Sequence, residues 1–457
     1  MSDHTSDVVV LGGGSAGYAT AIRAVELGKT AVLIEKDKVG GTCLHRGCVP
    51  TKALLHSAEI ADDVRESGHY GIQSQFQGID MHAVAAYKDG IVSKKFKGLQ
   101  GLLSAKGVTT IAGEGRLVDA HTVAVGDDTY TGAHVVLATG SYSKSLPGLE
   151  ITGRVITSEQ ALQLDYVPQR VAILGGGVIG VEFASVWRSY GAEVTILEGL
   201  PHLVPNEEES ISKALERAFR KRGISFSTGV RFSGVTQSDT GVTVSLENGA
   251  SVEADLLLVA VGRGPSTSGI GLEEAGVTLD RGFVVTNDRL ETSVPGVYAV
   301  GDIVPGLQLA HRGYQQGIFV AEEISGLHPS VVPDVNIPRV TYCDPEIMSI
   351  GLTKAKAVAE YGAERVVSFD FNLAGNAKSE ILGGTGFVSM VQVVDGPIVG
   401  VHGIGPRIGE LVGESQLIVN WEAHPSDIAP FIHGHPTQNE MLGEIALYLA
   451  GKPLHTL

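Results

Sequence analysis

The segment VVVLGGGSAGYATAIRAVELGKTAVLIEK, residues 8–36, decides the fold of the first part of the chain. It reads as a β-branched apolar strand, a glycine-rich turn, a helix that ends at Gly28, and a second apolar strand. This order predicts a βαβ unit in which backbone N–H groups and a helix N-terminus meet a pyrophosphate, while an acidic residue binds a ribose. The candidate contacts to a dinucleotide are Gly12, Gly14, Gly17 and Glu35.

The same pattern returns in VAILGGGVIGVEFASVWRSYGAEVTILE, residues 171–198. In both copies the acidic residue follows the last turn glycine by 18 positions, so the repeat is far more specific than a single glycine motif. Glu198 would repel a 2′-phosphate, and no arginine lies between Glu198 and Arg217. We therefore expect the second unit to prefer NAD over NADP. Its candidate contacts are Gly175, Gly177, Gly180 and Glu198.

Changes of pattern outside the repeat divide the chain further. The stretch ATGS, residues 138–141, and Pro147 mark a crossover out of the first unit, and a different mixture of strands and helices begins at Pro338. We predict an α/β protein with two Rossmann-like dinucleotide-binding domains and a C-terminal α+β domain. The predicted limits are 1–148 for the first domain, 149–272 for the second, 273–336 for a central segment and 337–457 for the C-terminal domain.

Bulk properties exclude several classes of function. A chain of 457 residues, 43% apolar and 19% charged, is typical of a globular protein with several domains. The formal net charge of −17 argues against a nucleic-acid partner, because phosphate binding needs clustered lysine and arginine. No apolar run of about 20 residues predicts a membrane span. The polar start MSDHTSD predicts neither a signal peptide nor a presequence, so we expect a cytoplasmic protein.

Two of the three cysteines lie close together in GGTCLHRGCVPTK, residues 40–52. Cys43 and Cys48 could bind zinc with His45 and His56, form a structural disulfide, or act as a redox pair whose bond breaks and reforms in each turnover. The spacing of these four residues matches no common zinc finger, and we predict no metal site. A cytosolic location makes a purely structural disulfide the weaker of the two remaining interpretations.

The local sequence favours a thiolate at Cys48. The cysteine pair follows Glu35 by only 8 and 13 residues, so the chain returns it to the carboxyl edge of the sheet, where a bound dinucleotide lies. Pro50 suits the first position of a helix, and the residues after it continue with helical periodicity. A thiol near a helix N-terminus ionises more readily. Lys52 either adds a stabilising positive charge or lies solvated in the first turns of this helix.

Thiol exchange needs a base, and histidine has the pKa that suits this task. Among the 15 histidines, His435 in FIHGHPTQNE is distinguished by the following Pro436 and by Glu440 on the next helical turns. The spacing also fits a capping box formed by Thr437 and Glu440, with His435 merely at the surface. His433 lacks the following proline and the glutamate spacing, so we assign it a structural role.

Taken with both glycine units, GGTCLHRGCVPTK resembles the active-site segment of the pyridine nucleotide-disulfide oxidoreductases, and HPTQNE is similar to the H-P-T-x-x-E signature of that family. The resemblance spans nearly the whole chain. It implies FAD in the first domain, NAD in the second, and a redox disulfide against the isoalloxazine ring. It also implies that Cys43 is the interchange thiol, Cys48 the thiolate nearest the flavin, His435 the general base and Glu440 the residue that orients this base.

The resemblance extends to other positions. It implies that Glu182 pairs with Lys52 near the flavin and that residues 273–336 complete the FAD site. Since the family's histidine reaches the disulfide of the other subunit, we expect residues 337–457 to form the interface of a homodimer. The further residues expected at the cofactors are Gly41, Thr42, Lys52, Gly115, Gly140, Val230, Gly262, Asp302 and Ala310.

The substrate is suggested by three features together. Glu198, HGHPTQNE and GIGPRIGELVGE are most similar to the branch of the family that oxidises protein-bound dihydrolipoamide. This implies two partners, the lipoyl domain and the subunit-binding domain of a 2-oxo acid dehydrogenase acyltransferase. Two stretches differ from that branch: HRG stands between the cysteines where NVG is commoner, and LAHRGYQQG replaces an acidic version. The alternatives are an NAD(P)H-dependent reductase of another disulfide or electrophile, and a non-catalytic flavoprotein that only docks.

Overall fold

The computed structural model describes residues 2–456, and its first part is built on a sheet of seven strands. Six of these strands follow the order β3-β2-β1-β6-β5-β4, in which β1 pairs in parallel with both β2 and β6, and the seventh strand comes from a later part of the chain. The side chains of Val8, Val9 and Val10 are fully buried in β1, as a strand covered on both faces requires. The elements are β1 (Asp3–Leu11), α1 (Ser15–Glu26), β2 (Ala31–Glu35), α2 (Gly41–Arg46), α3 (Cys48–Glu66), α4 (Met81–Lys106), β3 (Thr109–Ala112), β4 (Gly115–Leu117), β5 (Thr122–Val125), β6 (Asp128–Leu137) and β7 (Ser141–Ser143).

The second glycine unit builds a parallel sheet of five strands in the order β11-β10-β9-β15-β8. A three-stranded antiparallel sheet, β12-β13-β14, is inserted before β15, and β16 pairs back with β7 of the first part. The elements are β8 (Val155–Ile156), α5 (Ser158–Ala161), β9 (Arg170–Leu174), α6 (Val178–Tyr190), β10 (Glu193–Leu197), α7 (Glu209–Arg222), β11 (Ser225–Ser227), β12 (Phe232–Gln237), β13 (Val242–Leu246), β14 (Ser251–Ala254), β15 (Leu256–Val259) and β16 (Arg263–Pro265).

The chain then returns to the first sheet. Strand β19 pairs with β6, and helix α8 packs directly on α1. Gly317 permits this packing, because a Cβ there would lie 2.4 Å from the carbonyl oxygen of Ala16. The elements of this segment are β17 (Leu279–Asp280), β18 (Phe283–Val284), β19 (Val297–Ala299) and α8 (Ala310–Ile324). The first nucleotide-binding unit is therefore completed by residues far along the chain.

The last part of the chain forms an antiparallel sheet in the order β20-β21-β24-β23-β22, with α11 and α13 packed on it around one apolar core. Met348, Met390 and Val401 lie fully buried in this core. The elements are β20 (Arg339–Thr341), β21 (Glu346–Gly351), α9 (Lys354–Tyr361), β22 (Val366–Asn372), α10 (Ala377–Ile381), β23 (Phe387–Val393), β24 (Ile398–Gly405), α11 (Val412–Asn420), α12 (Pro425–Ile428) and α13 (Glu440–Leu449).

The predicted fold class is confirmed, with two parallel glycine-turn units and a C-terminal α+β part. Two local predictions were wrong. Cys48, not Pro50, is the first residue of α3, so the proline occupies the third helical position, where its missing N–H also costs no helical hydrogen bond. The capping box expected from Thr437 and Glu440 is only half formed, and the last helix begins at Glu440 itself. The Glu440 carboxylate accepts from the backbone N–H of Thr437, but the Thr437 hydroxyl donates to the carbonyl oxygen of Gly434 instead of capping a helix.

Candidate functional site

At two glycines of the first turn a side chain would collide with the backbone, whereas at the third there is free space beside the Cα atom. Gly12 has a φ of +107°, and a Cβ there would lie 2.3 Å from the carbonyl oxygen of Ala138. A Cβ on Gly17 would lie 1.8 Å from the carbonyl oxygen of Gly12. Gly14, the N-cap of α1, has no atom within 4 Å of its Cβ position. The helix N-terminus is thus exposed at the one point where a pyrophosphate needs to approach the backbone.

The second turn repeats this geometry. A Cβ on Gly175 would lie 2.4 Å from the carbonyl oxygen of Ala260, and one on Gly180 would lie 2.0 Å from that of Gly175. Gly177, the N-cap of α6, again has no atom within 4 Å of its Cβ position. The two turns therefore offer the same anion-binding surface to two separate nucleotides.

The acidic residue of each unit is held by its own turn. Glu35 accepts hydrogen bonds from the backbone N–H of Gly13 at 2.6 Å and of Asp37 at 2.8 Å. Glu198 accepts the matching pair at 2.6 and 2.7 Å, from the middle glycine of its turn and from Leu200. Each carboxylate is fixed beside an open helix N-terminus, at the place where a ribose follows a pyrophosphate.

A cavity of about 560 Å³ adjoins Glu35. Gly41 crosses next to the first turn, since a Cβ on it would lie 2.8 Å from the Cα of Gly14. The mixture of a few polar side chains, Glu35 among them, with apolar walls suits an adenosine group, so the residues present fit the dinucleotide that the sequence implies. The apolar lining residues include Phe96, Leu103, Val108 and Ile111.

Cys43 and Cys48 are free thiols, and their pKa values are shifted in opposite directions. Hydrogen bonding from Cys43 lowers the pKa of Cys48 to about 7, although burial opposes this; the positive charge of Lys52 lowers it further. The same hydrogen bond, together with burial, raises the pKa of Cys43 well above its ordinary value. Cys48 also occupies the first position of α3, where the helix dipole favours a thiolate. The arrangement therefore places a readily ionised thiol, Cys48, beside one that stays protonated, Cys43.

An ion pair between half-buried Lys52 and buried Glu182 joins this helix to the second unit. Lys52 Nζ donates to both carboxylate oxygens of Glu182 at 2.9 Å. The Glu182 side chain is 4% exposed and also accepts from the backbone N–H of Tyr342 at 3.0 Å. Burial would lower the pKa of Lys52, but attraction to Glu182 raises it overall. Lys52 is thus a fixed positive charge near the thiolate rather than a solvated side chain.

Sequence reasoning missed Arg263, which organises the region around Asp302. Ser141 Oγ donates to Asp302 at 2.5 Å, and Arg263 donates to the Oγ and carbonyl oxygen of Ser141, at 2.7 Å in both cases. Burial lowers the pKa of Arg263. The only sequence signal was its place directly after a glycine at the end of β15. Contacts across 122 residues of chain give no local pattern.

The remaining predicted cofactor contacts are backbone positions around the two units. Thr42 lies in α2 beside Cys43, and Ala310 is the first residue of α8. Gly140 follows β6 with a φ of +75°, and Gly262 precedes β16 with a φ of +102°. The structure also places Gly115 at the start of β4, and Val230 donates its backbone N–H to the Glu198 carbonyl oxygen at 3.0 Å.

The histidine and glutamate of HPTQNE meet directly. His435 Nδ1 and Glu440 Oε1 are 2.9 Å apart, and the other Glu440 oxygen accepts from the backbone N–H of Thr437 at 2.8 Å. The His435 side chain is 74% exposed, with Nε2 left for a ligand. Within residues 2–456, no hydrogen bond joins this imidazole to either Cys43 or Cys48. The fold brings the two cysteines close to the ion pair of Lys52 and Glu182, but it places the imidazole of His435 in a different part of the molecule.

The zinc interpretation of the cysteine pair is not supported by the geometry. His45 Nε2 faces the carbonyl oxygen of Val39 at 3.0 Å, and His56 Nδ1 faces Glu59 at 3.0 Å. Both imidazoles are therefore engaged away from the sulfurs.

Over the described part of the chain, no helix is both long and apolar enough to cross a membrane.

Comparison with known proteins agrees with this geometry. Residues 6–317 match the family model described as pyridine nucleotide-disulphide oxidoreductase, and residues 337–446 match the dimerisation domain of the same group. A dihydrolipoyl dehydrogenase of Bacillus subtilis is 37% identical over 98% of this chain and 99% of the relative. A leghemoglobin reductase of Glycine max is also 37% identical, over 98% of this chain and 88% of the relative. The crystal structure of LpdA from Mycobacterium tuberculosis superimposes with a TM-score of 0.90 at 26% identity, over 98% of this chain and all of that one.

Proposed function

The chain belongs to the pyridine nucleotide-disulphide oxidoreductase family, and we propose that within it the protein acts as a dihydrolipoyl dehydrogenase. It is an FAD-dependent disulfide oxidoreductase that uses NAD. The proposed reaction oxidises protein-bound dihydrolipoamide to lipoamide and reduces NAD to NADH. The observation that carries the proposal is the Cys43–Cys48 dithiol at the start of α3, beside the ion pair of Lys52 and Glu182.

The residues that would hold the two cofactors follow from the two glycine turns. FAD would lie on the turn around Gly14, with Glu35 at its ribose and Asp302 at a further hydroxyl. NAD would lie on the turn around Gly177, with Glu198 at its ribose. When bound, FAD supplies the two-electron chemistry that connects the dithiol to the pyridine nucleotide. The protein contributes alignment, charge and exclusion of water.

In the disulfide form of the protein, the first step is a thiol–disulfide exchange. His435 Nε2 takes the proton of one dihydrolipoyl thiol, and the resulting thiolate attacks the sulfur of Cys43. The Cys43–Cys48 bond breaks, and Cys48 leaves as a thiolate. A low pKa makes Cys48 a good leaving group, so the direction of its pKa shift supports this order.

The second step releases the oxidised product. The remaining dihydrolipoyl thiol attacks the lipoyl sulfur of the mixed disulfide, the lipoyl ring closes, and its proton passes to the departing sulfur of Cys43. The protein is left with Cys43 as thiol, Cys48 as thiolate and one proton on His435. Two electrons have moved from the dihydrolipoyl group to the cysteine pair. This state matches the opposite pKa shifts of the two thiols.

The exposed position of His435 supports a homodimer in which the imidazole serves the dithiol of the other subunit. Phe431 and Ile432, in the same loop, are 66% and 99% exposed, and Trp421 at the end of α11 is 75% exposed. Large apolar side chains gathered around a functional residue are typical of a surface that another protein covers. The match to a dimerisation domain points the same way.

Partner docking is part of the proposal. The lipoyl domain of an acyltransferase would deliver the substrate arm, and a basic subunit-binding domain would meet the acidic surface of a chain with a net charge of −17.

A second candidate is an NAD(P)H-dependent reductase of another disulfide or electrophile. It is favoured by one observation: the leghemoglobin reductase of Glycine max is as similar to this chain, at 37% identity, as the dihydrolipoyl dehydrogenase of Bacillus subtilis is.

The test is spectroscopic and kinetic. The purified protein should be yellow, its visible spectrum should change on adding dihydrolipoamide, and it should then reduce NAD. A colourless protein, or a yellow one whose spectrum dihydrolipoamide leaves unchanged, would refute the proposed function. Rapid oxidation of NADH with other disulfides or electrophiles, without dihydrolipoamide oxidation, would favour the second candidate.

A further inference from the structure

The proposed base lies in a loop with no regular secondary structure. Residues 429–439 connect the end of α12 to the start of α13, and His435 projects from this loop with its side chain 74% exposed. An exposed side chain on an irregular loop has freedom that a base in proton transfer must lose. Glu440 fixes the ring through Nδ1, yet it cannot by itself fix the path of the backbone before His435.

A second imidazole of the same loop points inward. The His433 side chain is 12% exposed, and its Nε2 lies 2.8 Å from Oε1 of Glu414 on α11. The other oxygen of Glu414 accepts from Asn439 Nδ2 at 2.7 Å. One carboxylate on a regular helix therefore holds the loop on both sides of His435. We call these three residues, Glu414, His433 and Asn439, the Glu414 clamp.

Charge and packing both tighten the clamp. Hydrogen bonding to Glu414 raises the pKa of His433, and burial only partly opposes this. Burial would raise the pKa of Glu414, but the bonds from His433 and Asn439 lower it overall. A charge-assisted bond of this kind is stronger than one between neutral groups. The ring of His433 also lies against α13, because a Cβ on Gly443 would fall 2.6 Å from its Nδ1.

We propose that the Glu414 clamp is a positioning element for His435, an inference that rests on the proposed function of His435 as the base in thiol exchange. Within the described chain, the clamp residues make no hydrogen bond to the His435 side chain. They act by fixing the loop backbone at both ends. Loss of the clamp should therefore slow the reaction with dithiols and leave the reaction with NADH unchanged.

The experiment compares two half-reactions of the holoenzyme. Anaerobic stopped-flow mixing measures reduction by dihydrolipoamide and, separately, reduction by NADH. For Glu414→Gln we expect the dithiol rate to fall by about tenfold or more, since small misplacements of catalytic groups have effects of this size. The NADH rate and the elution volume on gel filtration should match wild type. The matched control is Glu444→Gln, which breaks the pair of Glu444 and His455 at 2.8 Å outside the loop and should change neither rate.

A double variant distinguishes positioning from general damage. In a His435→Gln background, Glu414→Gln should cause no further loss of the dithiol rate, because residues that act as a unit are not additive. An additive loss, an equal fall of both half-reactions, or a wild-type dithiol rate for Glu414→Gln would overturn the inference.

A further set of measurements tests the role of the Glu414 clamp independently of the proposed substrate. If dihydrolipoamide does not reduce the wild-type protein, the proposed function fails, and the same variants are compared with dithiothreitol as the reducing dithiol. A loss confined to the dithiothreitol rate, absent in the His435→Gln background, still supports the clamp. An unchanged dithiothreitol rate overturns it.

Discussion

Cys48 shows how several weak effects converge on one residue. It begins a helix, accepts hydrogen bonding from Cys43 and lies near the fixed charge of Lys52. Each effect favours the thiolate, while burial opposes it. The sequence predicted a helix start close to Cys48, although two residues too late, and left the contribution of Lys52 open. Only the folded chain shows that Lys52 is held in place by a carboxylate from another unit.

The ionisation of Cys48 can be tested by alkylation. In the reduced protein, the rate of iodoacetamide labelling at Cys48 should rise with pH around a midpoint near 7, because only the thiolate reacts. Cys43→Ala removes the hydrogen-bond donor and should move this midpoint towards the ordinary thiol value of about 8.5. Peptide mass spectrometry gives the rate, and the buried Cys343 serves as an unlabelled control. An identical midpoint in the variant would contradict the role of Cys43.

The ion pair of Lys52 and Glu182 gives a second prediction at the scale of residues. Lys52→Met leaves a buried carboxylate without its partner, so the free energy of unfolding should fall by about 3 kcal/mol. Adding Glu182→Gln should recover part of that loss, because the uncompensated charge is removed. Chemical denaturation measures both. A double variant less stable than Lys52→Met alone would show that the charge is not the cause.

At the scale of elements, the glycine turns were the most predictable part of the molecule. Strand, turn and helix are local patterns, so the periodicity of apolar residues and the spacing of the glycines were enough to place them. The structure adds the reason for each glycine. In each turn, backbone carbonyl groups leave no room for a Cβ at two glycines, whereas the third glycine has free space around it. The two units thus share one geometry although their sequences differ elsewhere.

This difference among glycines predicts different effects of the same substitution. Gly180→Ala would push a Cβ to 2.0 Å from a carbonyl oxygen and should lower the free energy of unfolding by about 1–3 kcal/mol. Gly177→Ala, at a φ of −76°, meets no atom and should leave stability unchanged. It should instead raise the KM for NAD by about tenfold, the effect of losing ~1.4 kcal/mol of binding. Equal losses of stability in the two variants would contradict this assignment.

The parts that sequence reasoning missed are contacts between distant elements. Arg263 and the Glu414–His433 pair have no local periodicity, because their partners lie 122 and 19 residues away. His433 was assigned a structural role because it lacks the proline and glutamate that follow His435. Thr437 does not cap the last helix with Glu440, because its hydroxyl donates to the carbonyl oxygen of Gly434. Spacing locates a side chain along the chain, but the partner it meets is decided by the tertiary fold.

At the scale of the whole molecule, the dithiol and the imidazole belong to different surfaces of one chain. The imidazole lies in the loop with Phe431 and Ile432, whereas the thiols lie at the start of α3, the helix that packs against α6 of the second unit. A two-fold dimer would allow each chain to supply what the other lacks. The repeat of the interface on both subunits would then create two equivalent centres.

Mixed dimers test this exchange directly. Cys48→Ser and His435→Gln homodimers should each be inactive with dihydrolipoamide. After mild dissociation and reassembly of equal amounts, about a quarter of wild-type activity should return, because about half of the dimers are mixed and each holds one intact centre. Gel filtration confirms reassembly, and a mixture of wild type with itself sets the maximum. Activity that does not return in reassembled dimers would show that each chain uses its own histidine.

The carboxylate of Glu198 ties coenzyme choice to the shape of the backbone around it. The same two oxygens that would face a ribose already bind Gly176 and Leu200. A substitution meant to admit a phosphorylated ribose would therefore also release the loop that presents the nucleotide. Any evolutionary or engineered change of coenzyme at this site must rebuild the loop as well, so the preference is protected against single mutations.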